Sequence, residues 1–361
     1  MERLLAAPYN HYVHHSALAR KAAAGALALA FILIAPAPAA TPPQILSAGK
    51  APVLNVQVRQ GSVTITTWGR PEVGVSAPDG VDVRHYDAQQ VAGTLRRGAI
   101  SFVSRTVNSR DGAVTLPGET FSLASVSAGP HEGVDVRSTA NTPVDIQISV
   151  PADTALVVTR IGRGKVTLQN YRGGTFAMSV HTGGIFLQRV GGNGYAQVVR
   201  GPIVAIDSSF DQLRARTAVG NVLFERCSTR QIQVSSIEGS IVYDNGSFAP
   251  GLARFESQRG NVAVGVGAGN AQIGAHSSSG KVYSNFDRRA GVTGNGTDTQ
   301  ATLGTGGPVV TASSQSGSVY LYDGSFAQHR KRVGNAWRPM ARAIHRTRAF
   351  RPPHRPPIHH P

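Results

Sequence analysis

Apolar and polar residues alternate along most of this chain with a period of two, the spacing that puts side chains on one face of a β-strand. The plainest run is Val144-Asp145-Ile146-Gln147-Ile148-Ser149-Val150, closed by Pro151, and Leu54, Val56 and Val58 form another near the start. Long stretches with helical period are missing. The alternation is punctuated by a phrase Gly-x-Val or Gly-x-Ile, at Gly164, Gly183, Gly201, Gly220, Gly239, Gly260, Gly280 and Gly317. The steps between these glycines are 19, 18, 19, 19, 21, 20 and 37 residues, so the last is close to two periods.

The residues around each glycine align as well. Seven before it stand Leu213, Ile232, Ala253, Ile273 and Val310, and five before it Ala215, Val234, Phe255, Ala275 and Ala312. Three before it is a hydroxyl (Thr217, Ser236, Ser257, Ser277, Ser314), and two after it a β-branched residue (Val222, Ile241, Val262, Val282, Val319). This pattern predicts two short strands per repeat, apolar inward and polar outward, with a glycine turn between them. A second turn is expected midway, at Gly173-Gly174, Gly191-Gly192, Asp211, Asn245-Gly246 and Gly269-Asn270. One such repeat leaves its apolar face bare. Successive repeats laid on one another at about 4.8 Å cover it, which predicts an all-β single-stranded β-solenoid of roughly 20-residue coils. The hydroxyls then form a ladder that serves turn chemistry.

The pattern divides the chain. Residues 1–40 read as a signal peptide: Arg3, Arg20 and Lys21 precede an apolar run from Ala22 to Ile34, and Ala37-Pro38-Ala39 fits a small-x-small cleavage site. Export to the periplasm, cell surface or medium is therefore expected. Residues 41–150 are an irregular β segment in which 79–140 is expected to be an insertion or cap over the solenoid end. Residues 151–327 hold the regular coils, with 287–307 read as a flexible loop replacing part of one. Residues 328–361 are a Pro- and His-rich tail, expected to be disordered.

Charge sharpens the reading of the tail. The chain of 361 residues carries a formal +16, and the tail alone holds Arg330, Lys331, Arg332, Arg338, Arg342, Arg346, Arg348, Arg351 and Arg355 with no acid. These nine, and a net of +2 in the first 40 residues, leave only +5 for the body. The nine cations are candidate contacts for an anionic cell-wall or membrane surface. The single cysteine, Cys227, rules out an internal disulfide and reads as an inert buried thiol.

No motif for catalysis, a cofactor or a metal emerges. The acids after residue 150, among them Asp207, Asp211, Glu225, Glu238, Asp244 and Glu256, fall at different phases of the repeat and build no carboxylate pair. Gly191-Gly192-Asn193-Gly194 lies between strands rather than before a helix, so it is not a phosphate loop.

Gly61-Ser62-Val63-Thr64-Ile65, the strand Val144–Pro151 with its continuation through Leu156 to Val166, and the Ser-x-x-Gly-x-Val phrases resemble the bacterial "putative adhesin" β-strand-repeat family over about residues 53–325. The resemblance implies an exported, adhesin-like β-solenoid of unknown ligand and brings no catalytic residues. The expected function is thus a non-catalytic surface or envelope interaction module. The alternatives are a scaffold that self-associates through solenoid ends and, third, a polysaccharide-active β-helix enzyme.

Overall fold

The structure is a computed structural model that describes residues 42–86, 99–102, 104–109, 112–122, 131–266, 270–286, 293–294 and 296–324, together with Phe326, His345, Thr347 and Arg348. The expected signal peptide lies outside the described residues. The fold is all-β. Seven strands close a ring of parallel pairings: Thr175–Gln188, Gly191–Arg200, Ser209–Val219, Ser228–Glu238, Ile241–Phe248, Val222–Glu225 and Ile203–Ile206. Further strands extend this ring on both sides.

The pairings place equivalent positions of successive phrases beside one another. Val166 pairs with Ile185, Ile185 with Ile203, Ile203 with Val222, Val222 with Ile241 and Ile241 with Val262. The inward columns read from the sequence meet in one continuous core, in which Leu213, Ala215, Val222, Ile232, Val234, Ile241, Phe255 and Val262 are all buried. Aromatic rings run through it from Phe176 through Phe210 and Phe224 to Tyr243 and Phe255, with successive centroids 5.4–6.5 Å apart. Each such ring contributes its buried area and a tilted or edge-on contact.

The phrase glycines have a steric reason. Stacked at a corner, each turns its missing Cβ toward the layer below: a Cβ on Gly183, whose φ is 136°, would collide with the carbonyl oxygen of Gly164. The hydroxyl ladder forms here. Thr217, Ser236 and Ser257 donate to the carbonyls of Gly201, Gly220 and Gly239 at 3.1, 3.2 and 2.9 Å. Each hydroxyl thereby satisfies a carbonyl at the turn of the neighbouring layer.

Several expectations change. The middle layers have three strand segments, not two. A short third segment pairs Gly191 with Ser209, Ser209 with Ser228 and Ser228 with Ser247, where the sequence was read as turn. The second corner sits at Asn170, Arg189, Asp207, Arg226 and Asn245, all in the left-handed region with φ of 52–59°; Asn245 is where the turn was expected, and Asn170, Arg189 and Asp207 come two to four residues before their expected turns. Two of these are arginines. Arg189 Nε donates to Asn170 Oδ1 and Arg226 Nε to Asp207 Oδ1, both at 2.6 Å, so each ties its corner to the previous one. The outward face of the second strand is not polar: Phe186, Val204, Leu223, Val242, Ala263 and Tyr320, three after each glycine, form a second buried cluster with Tyr322 and Phe326.

The order of layers also departs from chain order at both ends. Val53–Trp68 lies between Gly133–Ser138 and Val144–Pro151 on one side and Leu156–Gln169 on the other. At the far end Val309–Ser316 and Val319–Asp323 insert between the layer of residues 252–266 and that of residues 271–284. The described residues of 287–307 therefore do not stand in for part of a coil. Their strand Asp298–Leu303 runs antiparallel along Ala271–Ser277 and covers it, as Asp82–Tyr86 covers Gly133–Ser138.

Within the insertion, Asp82–Tyr86 covers the outermost first strand, Gly133–Ser138, while the described residues of 99–122 lie elsewhere. Ala99–Phe102 pairs with Glu119–Ser122 and Arg105–Ser109 with Gly112–Leu116. Val107, Val114 and Leu116 pack on Val199 and Ala218, on the flank of the middle layers.

Candidate functional site

The first strand of each layer turns even-numbered offsets from its glycine outward, and these side chains form columns. Four residues before the glycine, Gln57 pairs with Arg160, Arg160 with Ser179, Ser179 with Gln197 and Gln197 with Arg216. Gln57 also pairs with Arg137 on its other side. In the next column Gly162 lies between Arg59 and His181. It has no room for a side chain, because a Cβ would press on the Arg59 carbonyl.

The insertion lies across this face and divides it. Glu119 is the anchor. Its carboxylate accepts from Arg216 Nη1 at 2.6 Å and Tyr195 Oη at 3.2 Å and also from Arg214 Nη1. Ser109 is hydrogen-bonded to Glu238, and Arg200 donates to the Asn108 carbonyl. On one side of the insertion is a groove of about 550 Å³; on the other is a depression of about 570 Å³ with Arg214, Arg216, Glu256 and Arg259 at its wall.

The first groove has an unbalanced wall. Arg59, Arg105, Arg137, Arg160 and His181 line it, and no described carboxylate does. Asp135, itself buried, is paired with Arg137 at 2.6 Å and accepts from Asn55 Nδ2 at 2.7 Å. Burial pushes the Arg160 pKa below its ordinary value, and burial with the charges of Arg105 and Arg200 pushes His181 down. The two shifts have one meaning: positive charge is already costly here, and an anion would relieve it. The Ser138 hydroxyl, on a residue 4% exposed, and His181 Nδ1 are buried without a hydrogen-bond partner among the described residues. A ligand with oxyanions and hydroxyls matches these groups.

The tail cations fare differently. Arg348 alone is described, and it faces inward: Nε meets Glu225 Oε2 at 3.0 Å and Nη2 meets Asp244 Oδ2 at 3.4 Å. Asp244 also accepts from the Phe326 amide at 2.7 Å and Tyr322 Oη at 3.2 Å. Arg348 is thus committed to two buried carboxylates rather than held out for an external anion, and it and Thr347 take helical conformation. The other eight, Arg330, Lys331, Arg332, Arg338, Arg342, Arg346, Arg351 and Arg355, lie outside the described residues. Among the described residues no group of three or more His, Cys, Asp or Glu gathers as a metal site.

The groove arginines escaped sequence reading, which followed the odd, inward offsets. The signal was the shared phase of Gln57, Arg160, Ser179, Gln197, Arg216 and Ser235, all polar and all four residues before their glycines.

No family model and no curated protein matches this chain. Among solved structures, one described as a putative cell adhesion protein from Clostridium sporogenes aligns with 78% of this chain and 99% of its own length, at 9% identity and a TM-score of 0.26. A likeness at that score defines neither a shared fold nor a shared function.

Proposed function

We propose that the chain is an exported, non-catalytic β-solenoid that serves as a cell-surface or envelope interaction module and meets its partner through the arginine-lined groove. The observation that carries this reading is the groove wall, lined by four arginines and a histidine, of which Arg137 is paired with Asp135. The solenoid form is supported by the parallel pairing of phrase upon phrase and by the glycine column. Export is supported by the charged, apolar and small-residue order of the first 40 residues. Adhesion through a rigid layered body suits the family resemblance of the phrases.

End-to-end assembly is the weaker reading. Antiparallel strands Asp82–Tyr86 and Asp298–Leu303 lie on the outermost first strands and occupy their pairing edges.

The test is twofold. Cells expressing the full chain are fractionated and the product's intact mass is measured; a cytosolic product that keeps residues 1–40 overturns export. The purified protein is then sedimented with isolated bacterial envelopes over a salt series. Salt-sensitive co-sedimentation is the expected result, and its absence overturns the interaction reading.

A further inference from the structure

We infer that the arginine-lined groove takes a carboxylate-bearing acidic polysaccharide, laid along the stacking direction. The inference rests on the interaction reading above and specifies its ligand. Three observations lead to it.

The first is spacing. Adjacent rows in a sheet are about 4.8 Å apart, so Arg137 and Arg160, two rows apart across Gln57, present cations at about 10 Å along one line. Arg59 sits in the neighbouring column of the intervening row, which gives a staggered series of three cations rather than a single cage. Arg137 already shares its charge with Asp135, so a point anion gains from one site at most, whereas a chain with regularly placed acids spans the whole series. Arg105 reaches the same groove from the insertion, so the ligand is bounded on that side.

The second is a carboxylate already held on this face. Glu119 sits on Arg216, Arg214 and Tyr195, and Arg216 occupies the same column as Arg160. The protein therefore shows, a few rows away, how this surface receives a carboxylate: with arginines of adjacent columns and a hydroxyl donor.

The third is what lies between the cations. Gln57, Ser101, Thr139 and Ser179 line the groove with Ser138, whose hydroxyl has no hydrogen-bond partner among the described residues. These are donors and acceptors suited to sugar hydroxyls. Among the described residues no Phe, Tyr or Trp lines the groove, so the stacking platform that single-stranded nucleic acid uses is not offered by them.

The test uses the full chain, polygalacturonate as probe and calorimetry as readout. Arg59→Gln with Arg105→Gln removes two exposed groove cations. Arg172→Gln with Arg230→Gln removes two exposed cations elsewhere and matches the change in net charge. Expected is a loss of about tenfold or more in affinity for the groove pair and less than about twofold for the control pair. Fully methyl-esterified polygalacturonate should not bind. Equal loss in both pairs, undiminished binding by the groove pair, or tighter binding of polyphosphate than of polygalacturonate each overturns the inference. Retained envelope binding without polygalacturonate binding overturns the ligand and leaves the interaction reading standing; loss of envelope binding by the unmodified protein removes both.

Discussion

Gly280 stacks on Gly317, which follows it by 37 residues, and not on Gly260, which precedes it by 20. Ser277, three residues before Gly280, donates to the Gly317 carbonyl at 2.7 Å, and Ser314 in turn donates to the Gly260 carbonyl at 2.7 Å. The layer of residues 309–323 is therefore clamped between two others. Leu321, fully buried in it, pairs with Val264 on one side and Ser284 on the other. Leu321→Ala should cost about 2–5 kcal/mol. Amide hydrogen exchange should then rise in residues 271–284 together with 309–323, while residues 191–206 stay protected. Rise in 309–323 alone would show that the outer layer stands without the inner one.

The corner glycines give a paired prediction. Gly183→Ala puts a Cβ against the Gly164 carbonyl at a φ that favours glycine and should destabilise by about 3 kcal/mol. Gly274→Ala, on a strand with open space at its Cβ, should be neutral or stabilising by up to about 1 kcal/mol. Urea unfolding followed by circular dichroism separates the two. Equal effects would refute the stacked-corner account.

Arg348 neutralises Glu225 and Asp244, which are 7% and 2% exposed. Arg348→Ala should destabilise at neutral pH by about 1–3 kcal/mol, because buried Asp244 loses its cation while Glu225 is left with Arg226. Asp244→Asn in the same chain should recover part of that loss. If Arg348→Ala unfolds at the same urea concentration as the unmodified protein, the contact contributes nothing to the fold.

Asp244 also carries a pH signature. Burial raises its pKa above the ordinary carboxylate value, against the pull of the Phe326 amide, Arg348 and Tyr322. Its proton is held more tightly in the folded than in the unfolded state. The stabilisation it gives is complete below the unfolded pKa of about 3.9 and is lost as pH rises through the folded one. Relative to Asp244→Asn, the unmodified protein should lose stability across that window. A flat difference between the two curves would refute the shift.

Cys227 is 2% exposed, and burial pushes its thiol up to about 12. It should resist a thiol reagent at pH 8 in the native protein and react fully in denaturant. Fast native labelling would contradict the packing around Ala205 and Glu225, whose carbonyls lie 3.5 Å from the sulfur.

The inward columns were legible because each layer repeats one short pattern, and Leu213, Ile232 and Val310 landed where their offsets placed them. The hydroxyl ladder was legible for the same reason. That sameness hides the order of layers: when every phrase fits on every other, local sequence does not say that Gly317 separates Gly260 from Gly280. The groove was hidden by the same ambiguity, since Arg137 and Gln57 are 80 residues apart and become neighbours only through a layer placed out of turn. The outward apolar row at Val204, Leu223 and Val242 broke the alternation because that face is itself covered, with Phe326 packed among its residues. Nothing in the repeat pattern anticipates a cover supplied from beyond it.

The inserted end layers change how this molecule answers a mechanical load. If the last strands of the chain were also outermost, tension on them would strip rows one after another, each yielding at low force. Here the strands Val309–Ser316 and Val319–Asp323 are bonded along both edges, and Val53–Trp68 is held the same way at the other end. Traction on either of these clamped segments must drag a strand out from between two others, so many bonds resist at once instead of giving way in sequence.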